Sequence, residues 1–142
     1  MLFFTGFSRN ASDIAQKQIE ITSSKTKELD IMVELCKEAE ELLVSSENGF
    51  LGWGELLNEQ WKVKKSMTNL ITNSKIDEMY DEGIRSGALG GKLLGAGGGG
   101  FILFLVPPEK QEQIKANLNT ILHVPFKFDF SGSQIVYYSK TA

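Results

Sequence analysis

The sequence predicts an α+β domain of the ferredoxin-like, split βαβ type, with its first crossover enlarged into several helices. Three observations carry this. Short apolar runs of strand length stand at residues 2–5, 91–95 and 101–106, and alternating ones at 126–130 and 135–138. Nearly all of the chain between the first two runs keeps helical spacing. One further helical segment then separates the third run from the closing pair. The order is strand, helices, strand, strand, helix, strand, strand, which suits an antiparallel sheet with helices on one side.

Residues 2–5 read as a short buried strand ended by Gly6. A strand needs neighbours, so either a later strand pairs with it or the chain begins within a longer protein. Asn10 is placed to cap a first helix, with Asp13 in the first turn where the helix dipole favours negative charge. Thr22, Ser23 and Ser24 compete with helical hydrogen bonding and predict a break or bend. From Lys25 a second helix should carry Leu29, Met32, Cys36, Ala39 and Leu43 on its inner face. Asn48-Gly49 signals a turn. A third helix follows, with Phe50, Trp53, Leu57 and Trp61 in register and Lys62, Lys64 and Lys65 at its C-terminal end. Both tryptophans read as core, and the lysines as a solvated helix end. Asn73 or Ser74 caps a fourth helix with Ile76, Tyr80 and Ile84 inward, and Gly87 stops it. Asp77 and Asp81 read as an exposed, non-catalytic pair on that helix. Pro107 and Pro108 open a last helix whose inner face is Ile114, Leu118, Ile121 and Leu122. Phe126, Phe128 and Phe130 alternate with Lys127 and Asp129 as a half-buried strand, and Ser131-Gly132 turns the chain into the final one.

The 142 residues fit one domain, large enough to bury a core without staples. At 42% hydrophobic and 23% charged, the composition argues against intrinsic disorder. A formal net charge of −3 gives no electrostatic reason to bind nucleic acid. Cys36, the single cysteine, cannot form an internal disulfide and reads as a small core residue. His123 is the single histidine, so neither a histidine metal cluster nor a His-based triad is expected. The apolar start lacks a basic region and is no signal peptide, and no apolar run is long enough to span a membrane. A cytoplasmic protein is the expectation.

The stretch that most needs explaining is the loop Gly95-Ala96-Gly97-Gly98-Gly99-Gly100, where four consecutive glycines precede a buried strand. Ordering glycine is costly, so something there needs bare backbone. Three readings stand. The glycines meet the steric needs of a hairpin or bulge. Or successive amides form a cradle for an oxyanion, with Lys92 adding charge. Or the bare surface lets another domain pack closely. The loop is not a Walker A motif, because Gly-Lys-Ser/Thr is missing, and not a Rossmann fingerprint, because a strand follows it.

Residues 90–106, GGKLLGAGGGGFILFLV, preceded by Gly87-Ala88, resemble the third sequence motif of the GHMP kinases, the family of galactokinase, homoserine kinase and mevalonate kinase. Within that family they are most similar to the kinases of D-glycero-D-manno-heptose phosphates. Three other stretches agree: Thr5-Gly6-Phe7-Ser8-Arg9-Asn10-Ala11-Ser12, Leu56-Leu57-Asn58-Glu59-Gln60-Trp61-Lys62-Val63-Lys64-Lys65, and Phe130-Ser131-Gly132-Ser133-Gln134. Together they cover nearly the whole chain. The family's ATP phosphate loop, Pro-x-x-Gly-Leu-Gly-Ser-Ser-Ala, is absent.

The resemblance therefore implies that residues 1–142 are the C-terminal domain alone. The N-terminal ATP-binding domain would hold ATP and Mg2+, along with the catalytic aspartate where the family has one. It further implies a phosphotransferase of carbohydrate metabolism acting on a heptose phosphate or similar sugar, with no catalytic residue in this chain, which should be inactive alone. Gly95, Ala96, Gly97, Gly98, Gly99 and Gly100 would face the interdomain cleft, with Lys92, Ser8 and Arg9 in reach of a sugar phosphate. The expected partners are the N-terminal domain and the sugar phosphate, with self-association into a homodimer through the face the absent domain would cover. The alternative is a stand-alone ferredoxin-like module that binds or senses a small phosphorylated ligand without catalysis.

Overall fold

The computed structural model describes residues 1–8, 11–45 and 49–139. Four strands, β1 (Leu2–Phe4), β2 (Gly90–Leu93), β3 (Phe101–Leu105) and β4 (Leu122–His123), form one antiparallel sheet in the order β2-β3-β1-β4. This is the ferredoxin-like order. The first crossover carries α1 (Ala11–Ile21), α2 (Thr26–Val44), α3 (Gly49–Met67) and α4 (Ser74–Arg85), and the second carries α5 (Gln111–Asn117). The enlarged first crossover is thus present.

The strand at the start of the chain finds its neighbours later in the sequence. β1 lies between β3 and β4, with Phe3 opposite Ile102 on one side and His123 on the other. Phe3 is fully buried, and its ring meets Phe104 at 6.2 Å and His123 at 5.2 Å. On β3, Ile102 and Phe104 point into the core and the residues between them are less buried. Trp61, Ile71, Ile76, Leu93 and Ile114 complete the centre of that core. A 3-10 turn at Thr22–Ser24 separates α1 from α2, as the polar trio predicts. Asn73 caps α4, its side chain accepting from the Ile76 amide at 3.0 Å, and Gly87 follows the helix with φ +108°. The expected cap at Asn10 lies outside the described residues.

The α3 helix seals one edge of the sheet. Its backbone rests on β2 so closely that a Cβ on Gly90 would come within 1.9 Å of the Gly54 carbonyl oxygen. Asn58 bridges the gap, donating to the Leu89 carbonyl at 3.2 Å and accepting from the Gly91 amide at 3.3 Å and from the Tyr80 hydroxyl. An edge strand otherwise offers unpaired amides and carbonyls to any passing chain.

Several expectations need correction. The fourth strand is Leu122–His123, not residues 126–130, and residues 135–138 form no strand. Phe128 and Phe130 are 77% and 94% exposed. β1 has only three residues, and the Val124 amide takes the Leu2 carbonyl at 2.8 Å, so little of β1 is left for later residues to pair with. Pro125, next in line, has no amide to donate. The buried face of α2 is turned slightly from the expected one: Leu35 is buried and Leu42 half-buried, while Cys36 and Leu43 are exposed. Cys36 is therefore no core residue. Asp77 is half-buried and paired with Lys65 at 3.2 Å, so it is not half of an exposed acidic pair. Lys64 and Lys65 are likewise half-buried rather than a solvated helix end.

Candidate functional site

The loop between β2 and β3 forms one wall of an open cleft of about 410 Å³. Phe4, Phe7 and Ser8, at and beyond the end of β1, form the facing wall. The chain holds this loop by backbone contacts from several directions. The Gly98 amide donates to the Ile71 carbonyl at 2.8 Å and the Gly100 amide to Phe7 at 2.9 Å. The amide and hydroxyl of Thr5 both donate to the Gly100 carbonyl at 2.9 Å. The carbonyls of the loop's first turn accept side chains: Lys64 donates to Gly95, and Gln18 to Ala96 at 3.1 Å.

Sterics account for every glycine in the run. Gly95, Gly97, Gly98 and Gly100 have φ of +77°, +115°, +72° and +94°, where side chains are strained. A Cβ on Gly99 would lie 2.5 Å from the Phe7 carbonyl oxygen. The steric reading thus accounts for the run within this chain. The cradle reading narrows, because the amides of Gly98 and Gly100 are spent on internal bonds. The amides of Gly95, Ala96 and Gly99 have no acceptor among the described residues.

Ser8 lines the cleft, and Arg9 lies outside the described residues. Lys92 does not line it. Its ammonium donates to Gln60 on α3, in a pocket that adjoins the loop's first turn. Sequence reasoning missed Gln18 and read Lys64 as solvated, because both reach the loop only once α1 and α3 are packed. Neither carries a local signature in the sequence. Among the described residues no three His, Cys, Asp or Glu side chains come together to hold a metal. No described helix is long and apolar enough to cross a membrane.

The model of the GHMP kinase C-terminal domain matches residues 39–123, which span α2 to β4 and include the whole loop. The chain belongs to the GHMP kinase family. The chain is 32% identical over 115 residues to D-glycero-alpha-D-manno-heptose 7-phosphate kinase of Campylobacter jejuni, covering 78% of this chain and 33% of that protein. Among solved structures it is similar to the Methanococcus jannaschii mevalonate kinase, with a TM-score of 0.65 and 26% identity over 85% of this chain and 36% of that one. It also shares the fold of L. major mevalonate kinase, solved with R-mevalonate, with a TM-score of 0.75 at 18% identity over 84% of this chain and 37% of that one. The chain thus spans about a third of the length of these relatives.

Proposed function

We propose that the chain is the substrate-binding C-terminal domain of an ATP-dependent sugar kinase that phosphorylates a heptose phosphate or similar sugar. The observation that carries this is the family match across the glycine loop, joined to a likeness to a heptose 7-phosphate kinase over 78% of the chain. On this reading the N-terminal domain brings ATP with its magnesium and closes over the cleft between Phe7, Ser8 and the loop. Phosphoryl transfer is mainly positioning and charge stabilisation. The free amides of Gly95, Ala96 and Gly99 would hold an anionic or hydroxylated group of the acceptor by preorganised dipoles. Ser8 would add a hydroxyl, and Arg9, beside it in sequence, a fork for oxyanions.

The test is ADP release by the product of the whole reading frame that encodes these residues, offered heptose 7-phosphate and, separately, mevalonate. The proposal expects turnover with the sugar phosphate and none by residues 1–142 alone. Turnover with mevalonate only would overturn the acceptor class. Turnover by the 142-residue chain would overturn the division of labour between domains.

A further inference from the structure

We propose that Lys64 and Lys92 form a receptor for the phosphate of a small phosphomonoester, in a pocket separate from the glycine-loop cleft and adjoining it. The pocket holds about 210 Å³ and lies between α1, α2, α3 and β2. Its two cations stand apart from the other lysines of the chain. Lys17, Lys25, Lys37, Lys62, Lys65 and Lys115 each pair with a carboxylate. The described lysines without an ion pair elsewhere, Lys27, Lys75, Lys110 and Lys127, are exposed to water. Lys64 and Lys92 alone among the described lysines are half-buried without a carboxylate.

That arrangement is unfavourable as it stands. Burial lowers the pKa of both ammonium groups, and the Lys92 charge lowers that of Lys64 further. Each ammonium spends a proton on a neutral acceptor, Lys64 on the Gly95 carbonyl and Lys92 on the Gln60 side chain. An ammonium has three donors, so each keeps capacity for an oxyanion. A dianion seated between them would remove the repulsion and gain charge-assisted bonds. The Gln60 amide nitrogen, with no acceptor among the described residues, can donate as well. Leu29, Met32 and Met67, with Gln18, supply the rest of the wall, and the apolar three suit the carbon body of an organic phosphate better than a bare ion. Lys64 also fixes the loop's first turn through Gly95, so filling this pocket acts on the neighbouring cleft through one side chain.

The proposal concerns a site wholly within this chain and stands apart from the kinase reading. The experiment is a titration of the 142-residue chain, labelled at lysine, with inorganic phosphate, mannose 6-phosphate and mannose, followed by NMR of the lysine Cε–Hε signals. The expected result is saturable shifts of Lys64 and Lys92 with a phosphate compound and none with mannose, Lys62 remaining still. Mannose 6-phosphate binding at least tenfold tighter than phosphate supports an organic phosphate as occupant. Equal or tighter binding of inorganic phosphate overturns the organic class. Shifts that fail to saturate, or that spread over all lysines, overturn the site. Lys64→Gln and Lys92→Gln should each weaken binding at least tenfold, with Lys62→Gln unchanged. If a variant is misfolded, the wild-type lysine signals still decide. The two readings are read out separately: lysine shifts in this chain report the pocket, and ADP release by the whole reading frame reports the kinase reading.

Discussion

Gly90 and Gly54 set how near a helix can come to a sheet edge. With 1.9 Å between a Cβ on Gly90 and the Gly54 carbonyl oxygen, the substitution Gly90→Ala must push α3 away from β2. Overpacking of this kind costs about 1–3 kcal/mol, and because backbone must move we expect the upper end, read as a lower urea midpoint. Gly95→Ala meets nothing within 4 Å and suffers only from φ of +77°. Its cost should stay near 1–2 kcal/mol. Tyr80 offers a test by pH. Burial first, then the Asp81 charge, raises its phenol from 10.0 to about 12. The folded state therefore holds the proton more tightly than the unfolded one. The stability this gives is present below pH 10.0 and is lost as pH rises to about 12. Absorbance at 295 nm should show a tyrosine that ionises at about 12.

Among the elements, the two edges of the sheet differ most. Asn58 satisfies the β2 edge through Leu89 and Gly91 while holding the Tyr80 hydroxyl. Asn58→Ala leaves those partners unpaired, and a loss of about 1–3 kcal/mol is expected in chemical denaturation. At the other edge, β4 passes into residues 124–139, whose Phe128, Phe130, Val136 and Tyr137 are exposed. Ending the chain after Pro125 should leave the urea midpoint unchanged, since almost no burial is lost. The same comparison shows what the sequence could disclose. The order of elements, the helical first crossover and the break at Thr22–Ser24 follow from local patterns and are present. The last strand was misplaced because alternation says only that a segment could pair, whereas pairing needs a neighbour, and β1 is too short to give one. The α2 face was misread for a related reason. Periodicity fixes a stripe only to within a residue, and packing against α3 selects Leu35 and Leu42 over Cys36 and Leu43. In the site, the loop was visible as a glycine run. Gln18, Lys64 and the separation of Lys92 from the cleft depend on tertiary packing and had no local signature.

For the whole molecule, the loop cleft and the lysine pocket share one turn, Gly95-Ala96, held by Lys64 and Gln18. A chain that spans a third of its relatives also carries exposed apolar side chains at Ile31, Val33, Leu43 and Val44 of α2 and in residues 126–138. We expect self-association at high concentration through these surfaces, read by sedimentation as a rising average mass, and a clean monomer would refute it. The central claim is that the loop faces the acceptor substrate. It is tested most directly by amide NMR of the chain titrated with heptose 7-phosphate. The account predicts saturable shifts at Gly95, Ala96 and Gly99, with the internally bonded amides of Gly98 and Gly100 moving less. Saturable shifts clustered away from residues 95–100, with those amides unmoved, would contradict it.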